Sequence, residues 1–247
     1  LKNIVCKLAC LPAIVVGLAL CTTSAQAQVT KVGNAYQFRV KYHKGMKIKY
    51  LMKIVTGMPA SPSGGKPQSI SMEIPVDSTV VDMQNKIATI KVITGPTKLN
   101  GQPQGATQSL EMKMNDRGKP ISGAPPGMEN LTASLPDKPL TVGESYTANQ
   151  NIAIAQMPIT VHALYTFRGV KSVKGREVAV FNVTLNGSGN IPTAQGASAK
   201  FTTRGDGSMT ISVEDGLANE TNIDQVVSVP QGSQVMKVKT KTTLARQ

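Results

Sequence analysis

The chain has 247 residues, with 27 basic against 14 acidic side chains, a formal net charge of +13, three cysteines and no tryptophan. All three cysteines (Cys6, Cys10 and Cys21) fall in the first 21 residues. A mature chain lacking that segment has no disulfide to rely on and must be held by its core. A charge of this sign draws anionic partners, and nucleic acid is the default partner only for a chain that stays in the cytosol.

The first 27 residues argue against the cytosol. Lys2 and Lys7 give a positive start, an apolar run follows from Leu8 to Cys21, and Ala25-Gln26-Ala27 places small residues at −3 and −1. This layout predicts a secretory signal peptide over 1–27, cleaved after Ala27 to leave Gln28 at the mature N-terminus. The apolar run is 14 residues, shorter than the roughly 20 that span a bilayer. Leu18-Ala19-Leu20-Cys21 loosely follows a lipoprotein box that would leave an acylated Cys21. Leu20 is bulky where that box carries a small residue, so cleavage after Ala27 is the preferred reading. The expected location is the periplasm or beyond, with no nucleic-acid partner.

The two leader lysines account for two of the thirteen net charges, so the mature chain stands at +11. The excess sits at its ends. From Gln28 to Met72 eight basic residues occur without an acid, and after Asp224 come Lys237, Lys239, Lys241 and Arg246, again without one. Outside the inner membrane the matching anions are lipid headgroups, lipopolysaccharide and acidic glycans.

Most of the mature chain reads as strands. Tyr36, Phe38, Val40 and Tyr42 alternate with polar residues, and after Lys44-Gly45 the set Met46, Ile48, Tyr50, Met52 and Ile54 alternates with Lys47, Lys49 and Lys53. Period two on both sides of a short glycine connection predicts a hairpin of these two runs. The period recurs over Ile70–Val76, Leu110–Met114 and Met236–Thr240. Turn residues at Asn115–Gly118, Lys174-Gly175, Gly205-Asp206-Gly207, Asp215-Gly216 and Pro230–Gly232 punctuate the runs. A turn or two near Gly127–Leu135 is the only helical candidate. The predicted class is all-β with at most one short helix.

Two matches point to an internal repeat. Ile87–Val92 resembles Val178–Val183, and Asn115–Gly118 with its following strand resembles Arg204–Gly207 with its own. The implied organisation is a first β repeat over 28–135, a proline-bracketed linker over 136–146 and a second repeat over 147–247, sharing one domain. Two such curved units predict an antiparallel open barrel or half-barrel.

Chemistry-bearing motifs are sparse. His43 and His162 lie on separate predicted strands with no carboxylate at ligand spacing, and no nucleophile, zinc or phosphate-loop motif occurs. The carboxylates Glu214-Asp215, Asp77 and Asp82 read as turn and strand residues. The expectation is a non-enzyme with no catalytic residue, metal or cofactor.

Two residue sets are candidates for binding. Met46, Met52, Met72, Met112, Met114 and Met236 all fall on predicted apolar faces, where methionine either fills a core or lines an adaptable lipid-sized cavity. Arg39 with Lys41, Lys47 and Lys49 with Lys53, and Lys237, Lys239 and Lys241 are spaced to share outward strand faces. They read as edge lysines that block aggregation or as an anionic-surface site, and the second reading needs the first and last strands to be neighbours.

Tyr42-x-x-Gly45-Met46-x-Ile48-x-Tyr50, the stretch from Leu135 to Tyr146 and Gly207 to Leu217 resemble a family of exported bacterial proteins of unknown function. The plan of a leader followed by about a dozen strands also resembles the half-barrel of periplasmic lipoprotein carriers. The leader, the two residue sets and the absence of catalytic motifs lead to the expectation of an exported, non-enzymatic β-domain binding an apolar or amphipathic envelope ligand, with a basic face toward anionic lipid or glycan. The alternative is a structural or adhesive matrix protein.

Overall fold

The computed structural model describes residues 29–247 apart from 41, 60–65, 125–134, 155–156, 193–197, 215, 217 and 232–233. The expected leader, Lys41 and nearly all of the helical candidate lie outside the described residues. What is described is all-β and antiparallel, with no helix.

The strands follow from the alternation. In chain order they are β1 (Thr30–Val32), β2 (Ala35–Gln37), β3 (Lys47–Met58), β4 (Gln68–Gln84), β5 (Ile87–Thr94), β6 (Thr97–Leu99), β7 (Gln102–Gln104), β8 (Gln108–Met114) and β9 (Pro120–Ser122). The second part supplies β10 (Ser145–Ile154), β11 (Met157–Val173), β12 (Arg176–Pro192), β13 (Ser198–Ser212), β14 (Ala218–Gln231) and β15 (Gln234–Arg246). In β3, Ile48, Tyr50, Met52, Ile54 and Thr56 are buried while Lys47, Lys49, Lys53 and Val55 are exposed, the inside–outside period of a strand with one face on a core. Two-residue loops link several strands. Asn85-Lys86, Asn100-Gly101 and Lys174-Gly175 hold positive φ at both positions, the mirror-image turn whose twist suits hairpins.

The main sheet runs β10-β11-β12-β13-β14-β15-β3-β4-β5-β8-β9, with β6 and β7 as a side hairpin on β4. The last strand therefore lies beside β3, in register from Lys239 opposite Gly57 to Arg246 opposite Tyr50. Two meandering arms are joined at this seam, and the sheet curves without closing, a half-barrel in form. Apolar side chains of both arms form one hydrophobic core, so 136–146 does not divide the structure into separately packed units.

The predicted hairpin between Tyr36–Tyr42 and Met46–Ile54 does not form. β2 pairs with β1, and β3 pairs with β4 and β15. The alternation was real, but Phe38, Val40 and Tyr42 are buried in the core instead of pairing with β3. The segment acts as a strap between the arms. Tyr36 and Leu140 exchange backbone hydrogen bonds of 2.8 and 3.0 Å, Val40 N–H donates to Asp116 O, and Gly45 N–H donates to Val80 O on β4.

Gly205-Asp206-Gly207 is not a turn either; it lies within β13. Arg204 and Asp206 face out while Gly205 and Gly207 face the interior, where a Cβ at Gly207 would overlap the Asn222 carbonyl oxygen and come within 2.8 Å of Ile223 Cα. Glycine there admits the close approach of β14 and the curl of the sheet. Of the two repeat matches, the first falls on strands β5 and β12, while the second sets the β8–β9 turn against the middle of β13.

Candidate anionic-surface site

The β15–β3 pairing brings Lys237, Lys239, Lys241, Lys47, Lys49 and Lys53 onto adjacent strands, all exposed. Each set shares the outward face because alternate side chains on a strand point the same way. Register divides them into two groups. Lys239 is opposite Gly57, Lys241 opposite Val55 and Thr243 opposite Lys53. Lys47 lies eight residues back from Val55, roughly 26 Å along the strand. That separation exceeds the roughly 8 Å screening length of physiological salt, so Lys47 and Lys49 act apart from the β15 group.

Acidic neighbours trim the charge further. Glu73 on β4 sits opposite Lys53, and the two form a 2.7 Å ion pair. The hydrogen bond from Lys53 and then its charge hold the Glu73 carboxyl below its ordinary range, with Lys98 adding to the effect. Asp77 is opposite Lys49, and Asp224 on β14 is opposite Lys241. Lys237 faces Ser228, and Lys239 lies between Val226 and Gly57, so neither has an acid directly across from it. The strongest cationic ground is therefore Lys237 and Lys239, supported by Lys241. Sequence reasoning missed these counter-charges. The phase of β4, with Met72, Ile74 and Val76 inward, already put Glu73 and Asp77 outward, but not beside particular lysines.

Arg39 does not belong to this face. Its guanidinium donates to the carbonyls of Phe38, Pro136 and Asp137 at 2.7, 2.9 and 2.8 Å, and lies 3.9 Å from the Asp116 carboxylate. Arg117 works beside it, donating from Nε to Leu135 O at 2.9 Å and pairing with the Asp137 carboxylate. The two arginines tie the strap and the β8–β9 turn to the stretch before β10. Carbonyl oxygens with no strand partner need donors, and a planar guanidinium supplies several at once.

The six candidate methionines line the interior side. Met52, Met112 and Met114 are buried members of the core, and Met46, Met72 and Met236 pack against it half-buried. Met52 is opposite both Leu244 and Ile74, and Met112 is opposite Ile90. Across the strands these two therefore meet other apolar side chains.

The histidines are apart. His162 Nδ1 lies 2.9 Å from Asn149 Oδ1, and His43 Nδ1 lies 3.3 Å from the Lys44 carbonyl. Among the described residues no group of three or more His, Cys, Asp or Glu side chains is placed to hold a metal ion. Compared with known proteins, the chain matches no family model and no curated protein.

Proposed function

We propose that this chain is an exported, non-enzymatic β-domain that associates with an anionic envelope surface, lipid or glycan, through the outer face of its β15–β3 seam. The observation that carries the reading is the pairing of β15 with β3, which sets Lys237, Lys239 and Lys241 beside Lys53 on one exposed face. The apolar-ligand part of the expectation rests on methionines that lie in or against one hydrophobic core, whereas the outer face has a defined set of neighbouring lysines, and the proposal is built on that face. The ligand it fits is a polyanion met by several lysines at once, each worth about 1 kcal/mol near such a surface.

One feature favours the matrix-protein alternative. β10 is an edge strand of ten residues with no charged residue and no proline, the usual guards against strand addition. A protein that assembles through its sheet edge would present such a strand.

The test measures binding of the mature protein to anionic vesicles and to a soluble acidic polysaccharide at low salt. Binding to at least one is expected, fading as salt rises and weakened by joint substitution Lys237→Gln, Lys239→Gln and Lys241→Gln. No binding to either, or equal binding by parent and variant, overturns the reading.

A further inference from the structure

Aliphatic side chains stand among the seam's lysines. Six large apolar side chains of the described residues are exposed, and two of them, Val55 at 41% and Val235 at 57%, belong to this face. Val55 is directly opposite Lys241. Val235 precedes Lys237 by two residues, shares its outward phase and is opposite the exposed Pro230. The three lysines are thus flanked by a valine at each end. Between them, Lys239 lies over Gly57, which offers no side chain, and beside the half-buried Val226.

We infer that the partner of this face is an anionic lipid bilayer and not an acidic glycan. The inference rests on the proposed function and narrows it. A hydrated polysaccharide presents hydroxyls and carboxylates, to which exposed valines contribute nothing. A bilayer interface has anionic headgroups for the ammonium groups and, just beneath them, acyl carbon that rewards burial of aliphatic side chains. Lysine stems are themselves apolar and can lie along that boundary with their charges in the headgroup layer. The face is strand-built, so the contact is shallow and reversible: no covalent step and no insertion of a spanning segment is involved.

Three proteins decide it: the parent, the double variant Val55→Ser with Val235→Ser, and the triple lysine-to-glutamine variant, each checked for unchanged far-UV circular dichroism. All five positions are exposed, so the folds should match. Co-sedimentation uses vesicles of phosphatidylglycerol with phosphatidylethanolamine, and vesicles of phosphatidylcholine alone. A soluble acidic polysaccharide forms the third arm. The parent is expected to bind the anionic vesicles and not the neutral ones. The valine variant should lose about fivefold in vesicle affinity, and the lysine variant more than about tenfold. Polysaccharide binding, where present, should be the same for the parent and the valine variant. Equal vesicle binding by parent and valine variant, or binding to the polysaccharide alone, overturns the lipid assignment and leaves the anionic-surface reading standing. Binding to neither overturns both.

Discussion

The interior is built in two different ways. Toward the strap, Tyr36, Phe38, Tyr146, Tyr165, Phe167 and Phe181 stack and tilt against one another with ring centroids 4.9 to 6.1 Å apart. Among the apolar side chains on the other side of the sheet, a band of buried polar ones crosses β13, β14, β15 and β3: Thr203, Thr221, Gln225, Thr240, Thr242 and Thr56, none more than 3% exposed. Gln225 donates to the Thr203 hydroxyl, and the hydroxyls of Thr56 and Thr240 approach to 3.4 Å. Thr221 Oγ1, Thr242 Oγ1 and Gln225 Oε1 have no hydrogen-bond partner among the described residues.

The contrast separates what stabilises the sheet from what merely shapes it. Aromatic rings remove large apolar areas from water and gain from edge-to-face contact. Buried threonines keep the β-branched shape that strands favour, but each unpaired hydroxyl loses its hydration without return. The polar band is therefore the weaker part of the interior, and where it crosses β15 and β3 it lies behind the candidate lysine face.

Three measurements press on that contrast. The largest effect is expected from Phe181→Ala, which removes a fully buried ring that meets Phe38, Tyr146 and Phe167. It should cost about 3–5 kcal/mol in urea denaturation, through lost transfer energy and the cavity left behind. A loss under about 1 kcal/mol would mean that the aromatic region does not anchor the fold.

Alkaline titration comes next. Burial raises the Tyr165 phenol well above its ordinary value, and burial together with the neighbouring Tyr165 raises Tyr146. In the unfolded chain both ionise near pH 10. Their contribution to stability is therefore full below about pH 10 and declines as pH rises toward the folded-state values, by about 1.4 kcal/mol per tyrosine per pH unit. Phenolate absorbance at 295 nm should show these two tyrosines ionising together with unfolding. Ionisation near pH 10 in the intact fold would show that the aromatic region is open to water.

The smallest effect carries the opposite sign. Thr242→Val keeps the shape of a side chain that is 0% exposed and removes a hydroxyl without a partner among the described residues. It should stabilise by about 1 kcal/mol. Destabilisation would show that the hydroxyl is satisfied and that the polar band is not the weak region.

Much of this was legible one strand at a time. The inward phase of Ile48, Tyr50, Met52 and Ile54, the outward phase of Lys237, Lys239 and Lys241, and the Lys174-Gly175 turn follow from alternation and local backbone preference. The same logic failed at Gly205-Asp206-Gly207, where two glycines read as a turn because glycine also suits turns. Their reason for being there is the nearness of β14, with Asp224 and Gln225 against Gly205 and Asn222 and Ile223 against Gly207, residues that lie 15 to 20 positions away in sequence. Arg39 failed likewise. Its spacing to Lys41 suggested a shared strand face, whereas it spends its donors on carbonyls almost a hundred residues distant.

Which side of each strand faces the core, and where the positive charge is concentrated, can be read locally, because side-chain alternation is a property of the local backbone. Which strand stands beside which is a property of the assembled sheet. Nothing local distinguishes β15 beside β3 from β15 at a free edge, since that choice depends on the combined register and curvature of the whole sheet. That single neighbour relation sets the lysines of the last strand beside those of the first long strand, while the separate pairing of β3 with β4 gives Lys53 its partner Glu73.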